Sequence, residues 1–137
     1  MSESPAAKPR GGVLRWALWG AALIGVHYTA NVDAANATVR DIEALGVKAV
    51  AVKADLRQGK DAADSIWAQF SDAARAETGS LVLDILVNNA GIAPAIPLKQ
   101  TSEAAFDEVM TINYKAPFFL IQAAADNIRD SGRIINV

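Results

Sequence analysis

The chain has 137 residues, enough for one domain with a hydrophobic core, and 13 Lys and Arg against 15 Asp and Glu give a formal net charge of −2. Because no basic excess is available to hold phosphate groups, nucleic acid is not expected as a partner. The absence of cysteine excludes disulfides and thiol chemistry and is compatible with a cytoplasmic protein. The single histidine, His27, lies in an apolar stretch, so we interpret it as a strand residue and predict no metal site.

The N-terminal region predicts a tail followed by an apolar segment. Residues 1–12 are small and polar and are interrupted by prolines, so we expect a disordered tail before a folded domain over 13–137. The uninterrupted apolar run over 16–26 is shorter than the roughly 20 residues that a membrane-spanning helix needs. No membrane partner is therefore expected, and a buried strand is predicted over 22–29, with a cleaved secretory signal as the alternative.

The next elements alternate between strand and helix. A helix capped by Asp33 is predicted to run to Leu45, and a strand should follow over 47–54. A second helix is predicted over about 61–76, where apolar residues recur at helical spacing, and it leads to a strand at 85–87. This β-α-β-α-β order predicts an α/β fold with a doubly wound parallel sheet of the Rossmann type.

The end of the strand at 85–87 carries the most informative residues. Asn88 and Asn89 follow the strand directly, and their amides are expected to bridge neighbouring strand ends. Ala90 and Gly91 leave the backbone bare enough for a flat ligand to lie against it. Because an open α/β sheet binds its ligand at the carboxyl ends of its strands, a binding site is predicted here.

A long helix is predicted to begin at a cap formed by Thr101 or Ser102 and to end near Ile128. Asn113 lies on the apolar side of this helix and therefore needs a polar partner. Pro117 has no N–H group, so the carbonyl of Asn113 loses its helical hydrogen bond and is free to hold another group. A simple proline kink around a structural water is the alternative.

Three motifs in this order resemble the short-chain dehydrogenase/reductase family of nicotinamide-dependent oxidoreductases, including its 3-oxoacyl-reductase-like members, over roughly residues 20–137. They are Asp55-Leu56, the stretch 88–91 and the stretch 112–119. The resemblance implies hydride transfer between a nicotinamide and a small-molecule carbonyl or alcohol. It also implies a set of cofactor-binding residues: Asp55, Leu56, Asn88, Ala90 and Gly91.

The same resemblance implies a catalytic role for Asn113, whose main-chain carbonyl would hold a water that connects the active-site lysine to solvent. For Asp55 a helix cap or a turn is the alternative to cofactor binding. In this family the two residues Asp55 and Gly91 should line one common crevice. Relatives often pair through the long helix, so a homo-oligomer is a possible assembly.

Two family motifs are not found in the sequence. No Thr-Gly-x-x-x-Gly-x-Gly turn precedes Gly46, and neither Tyr28 nor Tyr114 has a lysine four residues later. We therefore expect an inactive central fragment with the second to fifth strands of the family sheet. The alternatives are a non-catalytic remnant that binds an adenine nucleotide weakly or pairs with complete subunits, and an exported or membrane-tethered domain with another role.

Two further expectations concern the first predicted strand. No carboxylate occurs over 28–32, at its end, and this favours NADP over NAD because an acid there would repel the additional phosphate. The family strand that lies between the strands at 22–29 and 85–87 is not found, so a central slot with unpaired backbone groups is predicted, unless residues 10–19 fill it.

Overall fold

The computed structural model describes residues 22–137, and the predicted tail, a short helix that the sequence predicts over 13–19, and the candidate slot-filling segment at 10–19 lie outside this range. Strands and helices alternate along the described residues. They are β1 (Leu23–Tyr28), α1 (Val32–Glu43), β2 (Lys48–Lys53), α2 (Lys60–Thr78), β3 (Leu83–Asn88), α3 (Glu103–Met110), α4 (Ala116–Ala124) and β4 (Ile128–Asn136). The predicted α/β class and the alternation of strands and helices along the chain are confirmed.

The strands form two separate parallel pairs. β1 pairs with β2, with Gly25 opposite Val50, and β3 pairs with β4, with Val87 opposite Ile135. No strand within residues 22–137 joins β1 to β3, so the two pairs remain two-stranded sheets. The predicted central slot is therefore present in the part of the chain that the structure describes.

A helical layer links the two sheets. α2 packs against β1, β2 and α4, and α4 in turn packs against β3. The main core lies beneath α2 and is formed by Val52, Ala54, Ala62 and Ile66, against which Leu120 of α4 packs. Because Ala62 is fully buried, its small side chain lets the surrounding elements approach closely.

The helix N-termini correct one prediction and confirm another. α1 is capped by Asn31, whose Oδ1 accepts a hydrogen bond of 2.9 Å from the N–H of Ala34, so the predicted cap at Asp33 is wrong. Asp33 lies instead in the first turn, where its negative charge interacts favourably with the positive end of the helix dipole. The predicted cap at Ser102 is confirmed, because its Oγ accepts a 3.2 Å hydrogen bond from the N–H of Ala105.

The predicted long helix is interrupted and ends early. A turn with i to i+5 hydrogen bonding, Thr111–Lys115, separates α3 from α4, and we call it the π turn. The chain leaves helical structure after Asn127, and Ile128 already belongs to β4. The apolar residues over 133–137 predict a strand that begins at Arg133. β4 begins earlier, because Ile128 pairs with Leu83 ahead of an irregularity in the register. No helix within residues 22–137 has the length and hydrophobicity needed to cross a bilayer.

Candidate functional site

A cavity of about 500 Å³ opens at the carboxyl ends of β3 and β4. Its lining includes Ala90, Gly91, Asn113, Pro117, Phe118 and Asn136. The volume lies within the range of about 300–1,000 Å³ that small-molecule sites occupy. The cavity therefore places a candidate binding site at the strand ends where the sequence predicts one.

An amide bridge joins the two strand ends at the cavity. Nδ2 of Asn88 donates a 2.9 Å hydrogen bond to Oδ1 of Asn136, and the N–H of Val137 donates to the carbonyl of Asn88 at 3.1 Å. The expectation that Asn88 bridges neighbouring strand ends is confirmed, whereas no such bond is found for the exposed Asn89 within the described residues. Asn136 was not predicted as a site residue. Its place at the end of β4, where ligands bind to such sheets, could have identified it.

Asn113 ties the loop after β3 to the helical layer. Its Oδ1 accepts a 2.9 Å hydrogen bond from the N–H of Ile92, and its Nδ2 donates a 2.7 Å hydrogen bond to the carbonyl of the same residue. Gly91 leaves room for this approach, since a Cβ at that position would lie 3.3 Å from Oδ1 of Asn113, closer than an ordinary contact. The expected polar partner of Asn113 is thus the backbone of Ile92.

The π turn that carries Asn113 has a physical cause in Pro117. In a regular α-helix the proline ring would clash with the carbonyl of Asn113, and the missing N–H would break the ladder there. In the structure the N–H of Ala116 instead bonds the carbonyl of Thr111, five residues earlier. The wider turn accommodates the proline while α3 and α4 continue on either side.

Asp55 is a cap of the short turn that follows β2. Its Oδ1 accepts a 3.0 Å hydrogen bond from the N–H of Arg57, and Nη2 of the same arginine lies 2.6 Å from Oδ2. The side-chain hydrogen bond from Arg57 is the largest cause of a lowered pKa of Asp55, and the same bond raises the pKa of Arg57. Leu56, next along the chain, packs against the core. The cap role is observed, and cofactor binding by Asp55 and Leu56 stays a prediction.

The structure does not bring Asp55 and Gly91 into one cavity. Gly91 lines the cavity at β3 and β4, whereas Asp55 follows β2 and is not among the lining residues. The two residues follow strands of different two-stranded sheets. Within the described residues Asp55 is not part of the cavity that Gly91 lines.

The remaining polar groups that the structure describes are not arranged as a metal centre. Within residues 22–137, no three His, Asp or Glu side chains are placed to bind an ion together. His27 lies in β1, as expected, with its Nε2 3.0 Å from the carbonyl oxygen of Ala54.

Replacing Arg57 with alanine should raise the pKa of Asp55 toward its ordinary value, because the side-chain hydrogen bonds and the positive charge that stabilise its ionised form are lost, while the bond from the backbone N–H of residue 57 remains. A pKa that is lower in the folded than in the unfolded chain contributes stability above the unfolded pKa, and this contribution disappears as pH falls through the folded pKa. NMR titration of the carboxyl carbon measures the shift. Since the pair is exposed, the effect on stability should be small. An unchanged Asp55 pKa in Arg57→Ala would contradict this origin of the shift.

Comparisons with known proteins agree with these features. A family model described as short chain dehydrogenase matches residues 14–137. The 2-dehydro-3-deoxy-D-gluconate 5-dehydrogenase of Escherichia coli is 36% identical, over 93% of this chain and 47% of its own length. The 3-oxoacyl-(acyl-carrier-protein) reductase of Staphylococcus epidermidis is 34% identical, over 83% of this chain and 45% of its own length.

Solved structures show the same likeness. The landomycin C-6 ketoreductase with bound NADP and rabelomycin is similar with a TM-score of 0.77 and 38% identity, covering 82% of this chain and 45% of that one. A short chain dehydrogenase from Burkholderia cenocepacia in complex with NADP gives a TM-score of 0.71 at 34% identity, covering 80% of this chain and 42% of that one. The chain spans less than half the length of these relatives. By its sequence and its fold, the chain belongs to the short-chain dehydrogenase/reductase family.

Proposed function

We propose that this chain supplies the middle of the cofactor site of an NADP-dependent oxidoreductase that acts on a small-molecule carbonyl or alcohol. The observation that carries the proposal is the cavity beside Ala90 and Gly91, at the carboxyl ends of β3 and β4. The proposed reaction is hydride transfer, whose chemistry the bound nicotinamide cofactor would supply. The residues of the chain would bind and orient the reactants.

The lining of the cavity fits part of such a cofactor. Ala90 and Gly91 present backbone with no side chain larger than a methyl group, so a planar ring can approach closely. The amides of Asn88 and Asn136 bond each other and keep further donor and acceptor capacity for a ligand. Asp55 and Leu56 would hold the adenine end from β2, across the slot. Arg57 donates to both carboxylate oxygens of Asp55, so an adenine amino group would have to replace part of that pairing.

NADP is proposed in preference to NAD. No carboxylate follows β1 before α1, and Asn31 in that segment is engaged in capping. An acidic residue at this position would repel the additional phosphate of NADP. Two of the similar solved structures named above contain NADP.

Asn113 is proposed to contribute to proton movement through its main-chain carbonyl. Pro117 has no N–H group, so this oxygen lacks the donor that an α-helix would supply, and a water molecule is proposed to take that place. The family resemblance implies that such a water connects to the lysine of a Tyr-x-x-x-Lys motif. Because the 137 residues contain no such motif, we expect cofactor binding without turnover.

A second function, association with another subunit, is favoured by a stripe of exposed apolar residues on α3, the π turn and α4. Its members recur every four residues: Phe106 (57% exposed), Met110 (41%), Tyr114 (65%) and Phe118 (52%). An apolar stripe of this kind on one helix face marks an interaction surface. We propose a homo-oligomer, or pairing with a complete subunit, through this face.

Titration of the 137-residue chain with NADPH, followed by the fluorescence of the reduced nicotinamide, tests the cofactor assignment. We expect saturable binding that is tighter for NADPH than for NADH, because no acid stands at the end of β1. Sedimentation velocity of the same sample reports the association state. No saturable signal with either nucleotide, from a sample whose circular dichroism shows folded α/β structure, would overturn the cofactor proposal.

The gene offers an independent check. A glycine-rich turn encoded in frame before the first codon, together with a Tyr-x-x-x-Lys motif after the last, would identify the chain as a segment of a complete oxidoreductase. Flanking sequence without either motif would favour the non-catalytic function.

A further inference from the structure

One side chain holds both backbone groups of a cavity residue. The amide of Asn113 accepts from the N–H of Ile92 at 2.9 Å and donates to its carbonyl at 2.7 Å. Ile92 immediately follows Ala90 and Gly91, whose bare backbone forms part of the cavity lining. The path of this loop therefore depends on the direction in which the Asn113 side chain points.

That direction depends on the π turn. An α-helix advances by about 100° per residue, so one additional residue in a turn changes the relation between the side chains before and after it by about the same angle. Ile112 and Ala116, on either side of Asn113, are 9% and 1% exposed. Since both are fixed in the protein interior, the helix cannot rotate as a body to restore the direction of Asn113 if the turn changes.

The π turn depends in turn on Pro117. Without the proline, an N–H at position 117 would be able to bond the carbonyl of Asn113, and the regular α-helical ladder would be available through the turn. The π geometry would then lose its steric cause, the clash of the ring with that carbonyl. Gly91 completes the arrangement, because a Cβ there would crowd Oδ1 of Asn113 at 3.3 Å.

We propose that Pro117 is a positioning residue that acts through Asn113: it maintains the π turn, which aims the Asn113 amide at Ile92 and so holds the Ala90–Gly91 backbone in place at the cavity. Its importance for NADPH rests on the proposed function. The geometry itself does not, because it concerns contacts within the chain.

Amide hydrogen exchange in the full chain tests this role with Pro117→Ala. The exchange of the Ile92 amide should become about tenfold faster, as expected for the loss of one ordinary hydrogen bond. The buried Val52 amide of β2 should keep its rate. A through-hydrogen-bond NMR coupling between the Ile92 nitrogen and the Asn113 side-chain carbonyl should be present in the parent and lost in the variant.

A double-mutant comparison separates positioning from general destabilisation. In an Asn113→Ala background the Ile92 amide is already released, so adding Pro117→Ala should change its exchange by less than about twofold. Pro97→Ala, a proline change in the exposed loop before α3, serves as the matched control and should leave Ile92 unaffected.

Three outcomes would overturn the role of Pro117. In the first, the Ile92 amide exchanges at the same rate in Pro117→Ala as in the parent. In the second, the Ile92 and Val52 amides exchange faster by the same factor. In the third, Pro117→Ala accelerates Ile92 exchange equally with and without Asn113. NADPH binding is not the readout, so failure here would leave the proposed cofactor site standing, and a failure to bind NADPH would leave this test valid.

Discussion

Replacing Ile66 with alanine should lower the free energy of unfolding by about 2–5 kcal/mol, the usual range for truncating a buried isoleucine to alanine. Ile66 lies on the buried face of α2 and packs in the cluster with Val52, Ala54 and Ala62. The neighbouring alanine side chains are too short to fill the vacated space, so the cavity should persist. Urea unfolding followed by circular dichroism measures the change.

The loss should be a large fraction of the total stability. Small domains are stable by about 5–15 kcal/mol, and strand edges that are unpaired within residues 22–137 should favour the lower end of that range. Ile96→Ala makes the same chemical change at an exposed loop position, and its effect should stay below about 0.5 kcal/mol. Similar losses in both variants would show that the cluster under α2 is not the main core.

Replacing Ala90 with leucine should weaken NADPH binding at least about tenfold, which corresponds to roughly 1.4 kcal/mol. The larger side chain would occupy the space beside the loop after β3 that a cofactor ring is proposed to use, and overfilling a packed site costs about 1–3 kcal/mol. Because Ala90 is exposed in the protein without ligand, folding should be unaffected. Fluorescence titration with NADPH measures the affinity.

The matched control lies in the same loop. Ala95 is exposed and does not line the cavity, so Ala95→Leu adds the same volume outside the site. Its affinity for NADPH should equal that of the parent. If both leucine variants bind as the parent does, NADPH does not use the surface beside Ala90.

The order of strands and helices was predictable because apolar runs and helical spacing are visible in the residues. An apolar run without alternation at 85–87 indicates a strand covered on both faces; the strand is observed there, but the predicted burial is not, since Ile85 and Val87 are 45% and 52% exposed within the described residues. Helix starts were less certain, since Asn31 and Asp33 are both residue types that favour a cap. The choice depends on the backbone conformation at Asn31, which residue types alone do not specify.

The interruption between α3 and α4 shows why a regular pattern can hide an irregular backbone. Residues such as Phe106, Met110 and Ile121 recur at helical spacing on neighbouring rows, so the pattern predicts one helix. Pro117 indicated a disturbance, but a kink and a π turn both relieve the same clash. The hydrogen bond from the N–H of Ala116 to the carbonyl of Thr111 identifies the π turn, and residue types alone do not predict that bond.

The candidate site was predictable in its location and less so in its contacts. Asn88 was expected to bridge strands, and its partner Asn136 could be identified only once the strand pairing was known. The need of Asn113 for a polar partner was predicted from its place among apolar residues at helical spacing, although its side chain is exposed in the structure. The partner itself, the backbone of Ile92, depends on the path of a loop that has no periodic pattern.

The slot between β1 and β3 has a practical consequence for handling the protein. Each of these strands has an edge that pairs with no other strand in residues 22–137, and both carry apolar side chains such as Ile24 and Ile85. Free edges of this kind are templates for pairing between molecules. The solubility limit of the isolated domain should therefore be governed by strand addition, and a lysine substituted at an exposed position of β1 or β3 should raise the concentration at which it precipitates.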